Sequence, residues 1–130
     1  MRILSITAQK PHSTGSGVYL TETVRGFKEL GHTQAVIAGV TREDSVKLPE
    51  GVGFYPVYYN SPELPFPVCG MSDEMPYEST RYRYMKPDMV DKFEAAFGST
   101  VLRAVKEFRP DVVICHHLYL SLIHISEPTR

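Results

Sequence analysis

Hydrophobic and polar positions follow one period in some stretches of the chain and another elsewhere, and the changes of period mark its elements. Arg2 to Thr7 is a short apolar, β-branched run, the pattern of a strand buried on both faces. The loop Ala8 to Ser16 holds Pro11, Ser13, Thr14 and Gly15. Beyond it Leu20, Val24 and Phe27 fall at helical spacing and Leu30 closes the face before Gly31, which predicts a helix from about Gly17 to Leu30. Thr33 to Ala38 is a second apolar run, separated from that helix only by Gly31-His32, so the three elements form a compact βαβ unit with a right-handed crossover and the sheet is parallel. Val52 to Tyr59, interrupted by Pro56, predicts a third strand at an edge, because proline cannot donate to a ladder.

From 60 to 86 the period disappears. Pro62, Pro65, Pro67, Gly70 and Pro76 alternate with Phe66, Tyr77, Tyr82 and Tyr84, predicting a long irregular loop that runs over the surface. Pro87 and Asp88 suit a first helical turn, and Val90, Phe93, Phe97, Val101, Ala104, Val105 and Phe108 make an apolar stripe that ends at Pro110. Asp111 to His116 is another strand of the buried type. The alternation predicts an α/β fold: an incomplete doubly wound parallel sheet.

Composition narrows the function classes. With 130 residues, 42% of them hydrophobic, the chain can form a core of single-domain size. Fourteen basic residues against 15 acidic give a formal charge of −1, so no basic surface is advertised and nucleic acid is not an expected partner. The apolar run at the start is too short for a signal peptide and no later stretch approaches a membrane span; the expected compartment is the cytoplasm. Cys69 and Cys115 lack the spacing of a metal site or a disulfide framework and read as reduced thiols.

In a doubly wound sheet ligands bind beyond the carboxyl ends of the strands, where the strand order reverses, and the first and last strands are the natural neighbours there. Two features converge on that place. Ser13-Thr14-Gly15-Ser16-Gly17 leads into a helix, so backbone amides and a positive helix end could face an anion such as a diphosphate; the bland reading is a flexible loop. His116 and His117 end the last strand on opposite faces, so only one need enter the cleft; the bland reading is a structural histidine or a solvated turn. Lys10 and His12 read as solvated loop residues within reach of a phosphate. A dinucleotide fingerprint fits poorly, because Leu20 stands where the third glycine belongs and Ala38-Gly39-Val40 supplies no acid for a ribose. Tyr77, Arg81 and Tyr82, with Arg83 and Tyr84, could stack on and grip an acceptor.

The segment Ser13-Thr14-Gly15-Ser16-Gly17-Val18-Tyr19, the helix end Glu29-Leu30-Gly31-His32, and Arg109-Pro110-Asp111-Val112-Val113-Ile114-Cys115-His116-His117 together resemble the N-terminal domain of family 4 retaining glycosyltransferases, over roughly Met1 to Tyr119. The resemblance implies a GT-B enzyme of two Rossmann-like halves, transferring a sugar from a nucleotide-sugar donor to a glycan, lipid or small-molecule acceptor in the cleft between them. It implies that Gly15, Ser16 and Gly17 contact donor phosphate or sugar, and that His116 sits beside the transferred sugar; His117 falls where the family more often has an acid. It implies no cofactor, and the chain has no Asp-x-Asp motif for a metal. It leaves room for peripheral membrane contact by the full-length enzyme. A nucleotide-sugar epimerase of similar fold and a non-catalytic Rossmann-like binding module are the rival readings.

The stretch 120–130 departs from that family. It resembles the translation of a transposon-based sequencing adapter, so the expected division is a partial domain over 1–119 and a non-native tail over 120–130, in which His124 has no role. Without Glu127 and Arg130 the formal charge is still −1. Cut after its last strand, such a fragment would expose an apolar edge, lack its nucleotide-holding half, and be inactive and poorly soluble.

Overall fold

The computed structural model describes residues 1–8, 10–11, 15–67, 69–70, 79–81 and 84–116. Along the chain run β1 (Arg2–Thr7), α1 (Gly15–Glu29), β2 (Thr33–Val40), β3 (Gly53–Tyr58), β4 (Cys69–Gly70), β5 (Thr80–Arg81), α2 (Pro87–Phe108) and β6 (Val112–Cys115). Four strands form a parallel sheet in the order β3-β2-β1-β6, with Ile3 opposite Gln34 on one side and Val112 on the other. The fold is α/β, and β3, the strand carrying Pro56, is at an edge as its proline requires.

The two helices pack on opposite faces because β2 is apolar on both, while β1 gives its apolar face to α2. Leu4, Ile6, Ala8, Ala35 and Ile37 point to a core completed by Phe93, Phe97, Val101 and Ala104 of α2. Val36 and Ala38, at the alternate positions of β2, meet Leu20 and Val24 of α1. Each of these fully buried large aliphatic or aromatic side chains contributes about 1.5–3 kcal/mol relative to exposure.

The helix ends explain the sequence motifs around them. At the end of α1, Gly31 takes φ +88°, which lets its N–H reach the Lys28 carbonyl while the His32 N–H reaches that of Phe27. The His32 ring then meets Phe27 edge-on at 5.9 Å, so Glu29-Leu30-Gly31-His32 is a helix stop closed by its own side-chain contact. At the end of α2, Arg109 is left-handed (φ 53°) and Pro110 prevents continuation. Asp111 then binds the start of β1 twice: its N–H donates to the Arg2 carbonyl at 2.7 Å and its carboxylate accepts from the Arg2 N–H at 2.8 Å. The Arg2 guanidinium caps the Phe108 carbonyl and lies 4.3 Å over the Phe108 ring. The Pro-Asp pair thus sets the register of β6 on β1.

Three expectations differ from the structure. Helix α1 begins at Gly15 rather than Gly17, and Leu30, expected to close its apolar face, is 73% exposed because the chain has already turned away. Val90 and Val105 of the α2 stripe are each 38% exposed; they flank the face that Phe93, Phe97, Val101 and Ala104 bury. The stretch expected as a surface loop over 60–86 starts inside the core: Ser61 donates to the Tyr58 carbonyl, the Asn60 N–H reaches the Phe66 carbonyl, and the tight turn delivers Leu64 and Phe66 beneath Tyr59. Further on, β4 and β5 pair as a two-residue parallel ladder.

Candidate functional site

The strand order reverses at β1, whose neighbours are β2 and β6, so the carboxyl ends of β1 and β6 lie side by side. His116 continues that pairing one residue past β6, its N–H donating to the Ile6 carbonyl at 3.0 Å. Val113 and Cys115 pack on the α2 side, which turns Ile114 and His116 toward α1. There the His116 ring meets Tyr19 in an edge contact, centroids 6.0 Å apart and planes at 67°. A groove of about 470 Å³ is lined by Tyr19, Thr23, Phe27, Ile114, Cys115 and His116.

The electrostatics of the groove follow from that lining. None of its residues is formally charged at neutral pH, so nothing there offsets the loss of water around His116. Burial alone pushes its imidazole below the ordinary value of 6.5, and the ring is neutral at physiological pH. Nε2 is buried with no hydrogen-bond partner among the described residues. A neutral ring can donate through one nitrogen and accept through the other, which suits it to orienting a hydroxyl group.

The glycine segment meets this groove through the helix it opens. Gly15, Ser16 and Gly17 form the first turn of α1, and Tyr19, one turn on, is the residue that touches His116. The amino end of the helix dipole is therefore at the carboxyl end of the sheet, beside the histidine, where an anion would be favoured. Gly17 is buried, and its carbonyl accepts the Thr21 hydroxyl at 2.9 Å.

Of the other expected site residues, Arg81 is described and stands apart from the main sheet. Arg81 lies in β5, which pairs with β4 and not with the main sheet, and its guanidinium sits 5.9 Å from the Tyr84 ring. Tyr77, Tyr82, His12 and His117 lie outside the described residues, as does the stretch 120–130. The sequence matches no protein-family model and no curated protein. Among the described residues no three His, Cys, Asp or Glu side chains gather as a metal site, and no helix is long and apolar enough to cross a membrane.

Two features of the site were not anticipated. Tyr19 stands inside the glycine motif, yet only the fold brings it to His116. Lys10, expected to be solvated, donates to Asp44 Oδ1 at 3.2 Å in a pair whose side chains are 20% and 25% exposed. Asp44 Oδ2 accepts from the Thr41 N–H at 2.7 Å and from its hydroxyl at 2.9 Å. Burial raises the Asp44 carboxyl, but the two Thr41 bonds and the Lys10 ammonium outweigh it and hold the group below its ordinary value. The Thr41-x-x-Asp44 spacing immediately after a strand was the available signal for a side-chain-closed turn.

Proposed function

We propose that this chain belongs to the N-terminal, Rossmann-like half of a retaining GT-B glycosyltransferase that moves a sugar from a nucleotide-sugar donor to an acceptor. The observation that carries the reading is the meeting, at the reversal of strand order, of the amino end of α1 with a neutral, half-buried His116. Retaining transfer needs stabilisation of a departing diphosphate and of an oxocarbenium-like sugar centre. A fixed helix end answers the first need, and a hydrogen-bonding imidazole beside the sugar answers the second. Gly15, Ser16 and Gly17 would approach the donor phosphates, and His116 would orient a sugar hydroxyl or stabilise the transition state. Arg81, with Tyr77 and Tyr82, remains the proposed acceptor grip. The chemistry would be metal-independent and cytoplasmic, and would require a second Rossmann-like half to hold the nucleotide.

The test is made on the two-domain enzyme with a panel of nucleotide sugars. His116→Ala should lower turnover about 10²-fold or more, the scale of losing one well-placed hydrogen-bonding group, while the melting temperature changes little. Treatment with EDTA should leave the rate unchanged. An alanine variant with wild-type turnover would sink the role of His116, and absence of sugar transfer with every donor would sink the reading as a whole.

A further inference from the structure

On the face of the sheet that α1 covers, the central strand is polar. Ser5 and Thr7 are fully buried there, while Leu4, Ile6 and Ala8 carry the apolar contacts on the other face. Ser5 stands level with Val36 of β2 and with Ile114 of β6. Residues level in a parallel ladder share a face, and so do residues two apart along a strand. Gln34, two before Val36, and His116, two after Ile114, therefore lie on that face as well. Each is one strand and two residues from Ser5, in opposite directions, so Gln34, Ser5 and His116 form a straight diagonal across β2, β1 and β6. Each step is about 8 Å between backbones, and the longer glutamine and imidazole side chains can lean in over the short serine between them.

Among the described residues Ser5 Oγ, Gln34 Oε1 and His116 Nε2 are all buried without a hydrogen-bond partner. Buried polar atoms of folded proteins almost always find partners, and three left over on one diagonal are placed to serve one another. The row has a direction. The Gln34 amide nitrogen donates to the Val24 carbonyl at 2.8 Å, so the amide is oriented and its Oε1 can only accept. With the Ser5 hydrogen turned to Oε1, the ring is offered lone pairs alone, and Nε2 must carry a hydrogen to meet them.

We propose that Ser5 and Gln34 are positioning residues that set the tautomer of His116: hydrogens run from Nε2 through the Ser5 hydroxyl to Gln34 Oε1, directly or relayed by a water in the same sense, and Nδ1 is left bare. Nε2 is turned into the protein, so Nδ1 is the nitrogen that a ligand in the groove meets. It accepts, and the group it selects is a hydroxyl rather than a carbonyl or phosphate oxygen. This last step rests on the reading of His116 as the residue beside the transferred sugar.

Nitrogen-15 shifts of the His116 ring read the tautomer directly, because a ring nitrogen that carries a hydrogen and a bare one resonate far apart. They are recorded on the full chain at neutral pH and assigned by their loss in His116→Gln. The wild type should show Nε2–H in roughly tenfold excess, the scale of one net hydrogen bond. Gln34→Leu, two strands away, frees the Ser5 hydrogen to turn to the ring, and the excess should reverse to Nδ1–H. Adding Ser5→Ala to Gln34→Leu should cancel that reversal, which a general loosening of the sheet would not do. Ser5→Ala alone should erode the wild-type excess roughly tenfold, and it keeps the test open should Gln34→Leu not fold. A wild-type ring in the Nδ1–H form, a Gln34→Leu ring that stays Nε2–H, or a Ser5→Ala ring with the wild-type excess each overturns the proposal. A tautomer that responds as stated, in a chain whose two-domain enzyme transfers no sugar, overturns the glycosyltransferase reading and leaves the row standing.

Discussion

At the scale of single residues, position in the fold decides chemistry that residue type leaves open. His116 was legible as a candidate from its place at a strand end, but its neutrality was not, because that depends on Tyr19, Thr23 and Phe27 arriving from a helix remote in sequence. The same burial gives a signed pH effect. The folded-state value lies below 6.5, so as pH falls the unfolded chain takes up the proton first; this group's contribution is intact above 6.5 and is lost as pH falls from there toward the folded value. Urea midpoints measured between about pH 5 and 8 should fall toward acid less steeply in His116→Gln than in the wild type, and parallel curves would show that the imidazole is not desolvated. Gly39 is a second case. Any side chain there meets the Ala8 carbonyl oxygen and the Tyr59 ring, both at 2.6 Å, so Gly39→Ala should cost about 1–3 kcal/mol in chemical denaturation. Sequence alone showed only a glycine near the end of a strand.

At the scale of elements, periodicity was a sound guide to which segments are helix and strand and a poorer one to which residues they bury. Helix α2 spans the expected residues, yet its stripe is narrower than the apolar pattern, because a single sheet face accepts only the arc from Phe93 through Ala104. Phe97 is fully buried between Tyr59 and Phe93, so Phe97→Ala should cost about 3–5 kcal/mol, whereas Val105→Ala on the exposed flank should stay within about 0.5 kcal/mol. Equal effects in thermal melts would mean the helix is rotated from this placement. The first residues of the 60–86 stretch were misread for a related reason. Leu64 and Phe66 are buried through a turn closed by Ser61, and a tight turn has no period to detect.

At the scale of the molecule, the parallel sheet and its covered faces were readable because β2 and β6 are apolar at successive positions and each helix lies between two strands. The reversal of strand order was anticipated by the same logic, and it is what places a helix end and a histidine together. The order β3-β2-β1-β6 also has a history in time. The side of β1 facing β2 can close as soon as Ala38 has been made, but its other side waits for Val112 to Cys115. At ordinary synthesis rates that interval is on the order of 4–15 s. Throughout it the nascent chain carries β1, its buried central strand, with one row of backbone groups unclaimed, and a chaperone or a neighbouring nascent chain has that long to find it.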